Sequence, residues 1–327
     1  IAAADIKPWG KSAEAKQLMP SQPTPGKITE EKKNDELGTV QWKLSNGATV
    51  VIKHTDFKED EILMRGAAPG GLSLVSDDQL VTARYTTAIA EESGLGELDR
   101  IELRDALAGK LTSVTPILDR SAAFIDGRAR PDDLSTMLQM LHLSMKGPRN
   151  DAAAFSRWQA REAQDVANRN ALPQTQAMHR IMRSYSRNHP RARPITRKLV
   201  EAVDHELALE IYRRFFTDAG DFTFVFVGDV DADTLRPLVE TYIASLPSTT
   251  TREKAKDTGE RPVSGVSRAK EKAGQEPKTT AVSIFHGEAP WTYPGQLDQI
   301  LVVEVVKLRL REVLREDEGG TYGAGVQ

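Results

Sequence analysis

Two β-rich runs joined by Asn-Gly commit this chain to building a sheet. Val40-Gln41-Trp42-Lys43-Leu44 alternates apolar and polar residues, Ser45-Asn46-Gly47 turns, and Ala48-Thr49-Val50-Val51-Ile52-Lys53-His54 returns. Asn-Gly supplies the positive φ angles that a tight hairpin needs, and the alternation turns one apolar set of side chains toward a single face. An apolar face of that kind must be covered, so the rest of the chain is constrained to supply a covering layer.

The following residues supply it. Glu61–Gly66 predicts a third strand ended by Pro69-Gly70-Gly71. Asp77-Asp78 predicts a helix to about Glu92, stopped by Ser93-Gly94, and Asp99 opens another to Leu107. Residues 121–128 predict a strand. Pro131-Asp132-Asp133 then starts a helix that carries Leu134, Met137, Leu138, Leu141 and Met145 on one side at helical spacing, a stripe that belongs in a core. Asp151 caps a long helix to about Asn168, Asp204 caps Leu207–Phe216, Phe222–Val227 predicts a buried strand, and Asp233–Leu246 a helix closed by Pro247. Strands, then helices, then a returning strand specify an α+β fold: a two-layer arrangement with helices packed on one face of a largely antiparallel sheet.

Two segments lack this patterning. Residues 1–38 carry Pro8, Pro20, Pro23 and Pro25 among many Lys and Glu and read as a tether. Residues 248–277 are Ser/Thr-rich, then Lys/Glu/Gly/Pro-rich, and read as a second linker. Beyond it, Thr279–His286 predicts a strand and Leu297–Leu314 a helix ending at an Arg315 turn. The boundaries are therefore a tether at 1–38, an α+β domain at 39–247, a linker at 248–277 and the start of a second unit at 278–327. The last residues, Thr321 to Gln327, have the pattern of a strand just begun, which leads us to expect a fragment with self-association or poor order near 327.

Composition removes several function classes. The chain has no cysteine, which excludes disulfides, thiolate zinc sites and cysteine nucleophiles. Net charge is −3, so no global field favours nucleic acid or an anionic membrane, and no apolar run is long enough to span a bilayer. The six histidines, His54, His142, His179, His189, His205 and His286, include no pair at metal-ligand spacing. His205-Glu206 starts like a His-Glu-x-x-His zinc signature, but Leu209 stands where the second histidine belongs. The Gly94-Leu95-Gly96 and Gly319–Gly325 segments lack the lysine or the strand-to-helix setting of a phosphate cradle, and no Gly-x-Ser-x-Gly elbow is present. Arg180, Arg183, Arg187, Arg191, Arg193 and Arg197 read as a solvated connecting loop.

Several weak motifs in a consistent order carry a resemblance. Trp42-Lys-Leu-Ser-Asn-Gly-Ala-Thr-Val-Val-Ile-Lys53, Gly66-Ala-Ala-Pro-Gly-Gly71, and Leu207–Phe216 followed by Phe222–Asp229 resemble the opening hairpin, third-strand break and closing helix and strand of the repeated domain of the pitrilysin (insulinase) zinc metallopeptidases. The resemblance covers about residues 40–327. It implies one of four homologous α+β domains arranged in two halves around a chamber. In the first of these domains a helix bears His-x-x-Glu-His; here the corresponding helix is Thr86-Thr87-Ala88-Ile89-Ala90-Glu91-Glu92-Ser93-Gly94, without histidine. The resemblance therefore implies the third domain at about 41–247, the opening of the fourth at 278–327, and no metal in this chain, with zinc in a missing N-terminal half.

It also implies a site. The family keeps an Arg and a Tyr seven positions apart in its fourth domain, and Arg315 and Tyr322 match in type and spacing. A guanidinium can hold a substrate carbonyl or carboxylate, and a tyrosine hydroxyl can donate to a developing oxyanion. Gly319-Gly320-Thr321 precedes the Tyr in place of the more usual Leu-Gly or Leu-Ala. The expected function is the C-terminal, non-catalytic part of a zinc endopeptidase, orienting peptide through Arg315 and Tyr322, with no catalytic residue of its own. Its partners would be the N-terminal catalytic half, on the same protein or on a partner subunit, and a peptide substrate. The alternative is an inactive scaffold or peptide-binding partner. The absence of cysteine and the Ile-Ala-Ala-Ala start lean toward a periplasmic or secreted location.

Overall fold

A computed structural model of the chain describes residues 16–249, 252–270, 272, 281–319 and 325–326. The chain divides into two units, Ile1–Gly274 and Gln275–Gln327.

The first unit is organised by a seven-stranded sheet: β1 (Ile28–Asn34), β2 (Thr39–Leu44), β3 (Thr49–His54), β4 (Ile62–Pro69), β5 (Thr112–Leu118), β6 (Ala122–Ala129) and β7 (Thr223–Gly228), in the order β1-β2-β3-β7-β4-β6-β5. Only β3 and β7 run parallel; every other neighbouring pair is antiparallel. The Asn-Gly hairpin forms as predicted. Gly47 takes φ 88° and its N–H donates to the Leu44 carbonyl at 2.9 Å. The Asn46 amide reaches further and donates to the carbonyls of Ile243 (2.8 Å) and Leu246 (3.1 Å), tying the hairpin tip to the end of the last helix of the unit.

Among the described residues of this unit the α-helices are α1 (Leu80–Ser93), α2 (Arg100–Ala106), α3 (Leu134–Lys146), α4 (Ala152–Ala171), α5 (Pro173–Tyr185), α6 (Arg197–Glu201), α7 (His205–Phe216) and α8 (Ala232–Tyr242). Asp99, Asp151, Asp204 and Asp231 cap α2, α4, α7 and α8 by accepting from backbone N–H groups of the first turn. Trp42, Val50, Ile62, Met64, Ile125, Phe224 and Phe226 turn to one face and are buried against Met137, Leu138 and Leu141 of α3, Phe215 and Phe216 of α7, and Leu235 and Val239 of α8. The other face keeps Leu63, Arg65, Ile117 and Val225 exposed. This is the α+β, largely antiparallel, helices-on-one-face architecture that the sequence predicts.

Four local readings are corrected. β1 lies inside the presumed tether: Ile-Thr-Glu-Glu-Lys-Lys-Asn pairs with β2, and the charges that argued against a strand are those that protect an edge from further pairing. β5 was not foreseen; it is the opposite edge, and Pro116 is tolerated there because one side of an edge strand needs no partner. The arginine-rich stretch is not all loop, since α5 covers Pro173–Tyr185 with Pro173 in its first turn. In the second unit, residues 281–286 of the presumed 279–286 strand carry no strand. An isolated strand leaves its backbone groups unpaired, and no neighbour for it stands among the described residues of that unit.

The described part of the second unit is chiefly α9 (Tyr293–Arg311), capped by Thr292, followed by a wider helical turn over Glu312–Asp317. Leu297, Ile300, Leu301, Val302, Val305 and Val306 are all exposed on α9, and the helix buries none of its residues.

Two neighbouring residues of β7 test the one-sided sheet. Phe226→Ala should cost about 3–5 kcal/mol of unfolding free energy. Val225→Ala, on the open face, should cost less than about 1 kcal/mol. Urea titration of both variants measures this, and equal losses would contradict a single covered face.

Candidate functional site

The sequence points to Arg315 and Tyr322, and the structure places one of them. Arg315 stands exposed in the turn Glu312–Asp317 directly after α9. Gly319 follows at φ 58°, the left-handed conformation by which a glycine stops a helix. Tyr322 lies outside the described residues, so the pair is not brought together here.

A second place carries chemistry that the sequence did not announce. α1 occupies the position where the resemblance would put a metal-binding helix. Its inner side carries Thr82, Thr86, Ile89 and Ser93, all buried. Thr86 donates to the Ala208 carbonyl of α7, and Ser93 donates back to the Ile89 carbonyl at 3.0 Å. These small polar groups are satisfied by backbone and are spent on helix packing. At the outer side a cleft of about 450 Å³ opens between α1, α2 and α4, lined by Ala88, Glu91, Glu92, Arg100, Trp158 and Arg161.

Glu92 is the centre of that cleft. Its Oε2 accepts from Arg100 Nη1 at 2.9 Å and from Arg161 Nη2 at 2.9 Å, while Arg161 Nη1 reaches Oε1 at 3.4 Å. The Arg161 hydrogen bond, with the charge of Arg100, holds the Glu92 carboxyl below the usual glutamate range although partial burial opposes this. Arg100 is held by the first turn of α2, where Asp99 and Glu102 form a reciprocal cap. Arg161 projects from α4, anchored by Trp158, which packs edge-on to Tyr85 with ring centroids 5.1 Å apart. Two guanidiniums already occupy the Glu92 carboxylate, and Glu91 is the one other carboxylate in the lining, so the cleft offers no set of free donors for a metal cation. Among the described residues, no three His, Asp or Glu side chains gather as a metal set. The trio was illegible in sequence because Arg100 and Arg161 lie 8 and 69 positions from Glu92.

Two of the histidines take structural places. His142 is buried, with Nδ1 2.8 Å from the Tyr242 carbonyl oxygen, and burial pushes its pKa down. His205 stacks on Phe155 at 4.6 Å, and Leu209 is buried where a zinc signature would need a second histidine. Arg191, read with its neighbours as solvated, is buried. It donates to the carbonyls of Leu72 (2.9 Å) and Val75 and pairs with Asp77 at 2.7 Å. The presumed linker is likewise fastened over 252–270: Glu253 pairs with Arg214 at 2.8 Å, Glu260 pairs with Arg120, and the Val263 N–H donates to the Tyr185 carbonyl at 2.7 Å.

A pH-dependent stability follows from Glu92. Its folded pKa is lowered, so its contribution is complete above the usual 4.5 and is lost as pH falls through the lower folded value. Glu92→Gln should therefore cost about 1 kcal/mol at neutral pH, discounted for the solvent-facing arginines, and nothing once the pH is well below that value. Urea midpoints of both proteins at neutral and acid pH measure it; a pH-independent difference would refute the assignment.

Residues 202–327 match the family described as the peptidase M16 inactive domain. The chain is 28% identical over 245 residues to a protein named zinc protease PQQL-like from Arabidopsis thaliana, covering 74% of this chain and 23% of that one. It is 21% identical over 315 residues to the probable zinc protease PqqL of Haemophilus influenzae, covering 96% of this chain and 34% of the relative. The crystal structure of the periplasmic protease PqqL from Escherichia coli superimposes with a TM-score of 0.74 at 16% identity, over 99% of this chain and 36% of that one. The chain thus spans about a quarter to a third of the length of the curated relatives it matches. The resemblance to the inactive, C-terminal part of pitrilysin-type zinc peptidases is borne out, and the shared fold with it.

Proposed function

We propose that this chain forms the C-terminal, non-catalytic wall of the chamber of a zinc endopeptidase, and that Arg315 and Tyr322 orient peptide there. The observation that carries the reading is the inactive-domain match over residues 202–327, which includes both residues. The fold supports it, because a seven-stranded sheet covered by helices on one face leaves the other face open as a broad surface. Residues 39–247 would be the third repeat of such a protein and 278–327 the opening of the fourth.

Among the described residues no set of side chains fits zinc. α1 has no histidine, and its Glu92 is engaged by two arginines. In this reading zinc and the attacking water belong to an N-terminal catalytic half, on the same protein or on a partner subunit. This chain's part is orientation. The Arg315 guanidinium would hold a substrate carbonyl or carboxylate, and the Tyr322 hydroxyl would donate to the oxyanion formed at the scissile carbonyl. The relative titled as a periplasmic protease supports a periplasmic location. No helix among the described residues is long and apolar enough to cross a membrane.

In the full-length protein, Arg315→Ala and Tyr322→Phe should each lower kcat/KM for peptide cleavage, Tyr322→Phe by about a hundredfold and mainly through kcat. Zinc content should not change. Full activity in both variants would refute the orienting role and leave an inactive scaffold as the reading.

A further inference from the structure

Between Val166 and Val200 the chain has no carboxylate, yet it carries seven arginines and one lysine, in a protein of net charge −3. The fold sorts these cations. Arg191 goes inside, Arg169 pairs with Glu162 at 2.8 Å, and Arg197 pairs with Glu201 at 2.7 Å. Arg183, Arg187 and Arg193 are exposed, and among the described residues no carboxylate lies within ion-pair distance of them.

An apolar component lies beside them. α5 buries none of its side chains, and Met178 and Met182, one helical turn apart, are 39% and 38% exposed. Helical spacing carries the same side of α5 from Met178 and Met182 through His179 to Arg183. The fastened segment 252–270 adds to this surface, because the Ser267 hydroxyl lies 2.7 Å from that of Ser184 and brings Arg268 and Lys270 next to it in sequence. A notch of about 300 Å³ opens at its margin, lined by Ser186, Arg187, His189, Gly259 and Arg261.

We propose that this arginine-and-methionine surface docks an acidic polypeptide segment that also presents apolar side chains. Arginine's planar fork matches carboxylates in bidentate geometry, whereas attraction to a charged lipid surface is served as well by lysine. Methionine's flexible thioether suits partners of varied side-chain shape, whereas single-stranded nucleic-acid surfaces use aromatic rings for base stacking. The proposal does not depend on the peptidase reading.

The test is binding of a fluorescein-labelled peptide of alternating Glu and Leu, and of its Gln-for-Glu counterpart, to the chain by fluorescence anisotropy. The acidic peptide should bind, more weakly as salt rises, and the Gln peptide should not. Arg183→Glu with Arg187→Glu should weaken binding by about tenfold or more. Met178→Gln with Met182→Gln should weaken it several-fold, while Arg104→Glu, on the exposed side of α2, should leave it unchanged. Circular dichroism confirms that each variant is folded, and Arg183→Lys with Arg187→Lys should fall between wild type and the double reversal. Wild-type binding by the double reversal, or no binding by the wild type, would overturn the proposal. So would duplex DNA or phosphatidylglycerol vesicles binding more tightly than the peptide and being lost in the same variants.

Discussion

The pairing of β7 with β3 and β4 is the constraint on which the rest of the first unit depends. Val50 and Gly66 both lie opposite Phe224 in register, so one strand from residues 223–228 joins two segments that lie more than 150 residues earlier. Until that strand is in place, β1–β2–β3 and β4–β6–β5 are separate three-stranded pieces with no ladder between them. Once it is in place, Phe224 and Phe226 sit under the helical layer, and the carbonyls near Ile243 and Leu246 meet the Asn46 amide at the hairpin tip. The polypeptide from α3 to α7 is then one long connection between β6 and β7, with α3 and α7 held on the face where the sheet is apolar.

How much of this was legible follows from how local each signal is. The Asn-Gly hairpin, the α3 stripe and the caps at Asp99, Asp151 and Asp204 depend on residues a few positions apart, and each forms as read. β1 and β5 escaped because edge strands carry the charges and proline that central strands exclude. α5 escaped because the arginines and prolines in and around it outweigh the apolar Ala177, Met178, Ile181 and Met182, and none of its side chains is buried. At the site, the spacing of Arg315 and Tyr322 could be seen in sequence, but their geometry depends on a unit whose described helix has no core around it. The Glu92 cluster had no sequence signal, since it exists only after α2 and α4 are laid against α1.

Charge placement connects the structure with its relatives. A zinc site needs carboxylate and imidazole donors free to face a cation. α1 instead presents a glutamate neutralised by two guanidiniums, and its inner positions are threonine and serine bonded to backbone. The helix is thereby a packing element on its inner side, and the Glu92 carboxylate on its outer side is engaged by arginines. The proposal that catalysis belongs to a separate half rests on this arrangement together with the inactive-domain match over residues 202–327.

The most direct test of that account is the zinc content of the purified chain after dialysis against trace zinc, measured by atomic emission. The account predicts far less than one zinc per chain, unchanged in Glu92→Gln. One tightly held zinc per chain, lost on substitution of any histidine or carboxylate in the chain, would contradict it and make this polypeptide a metalloenzyme in its own right.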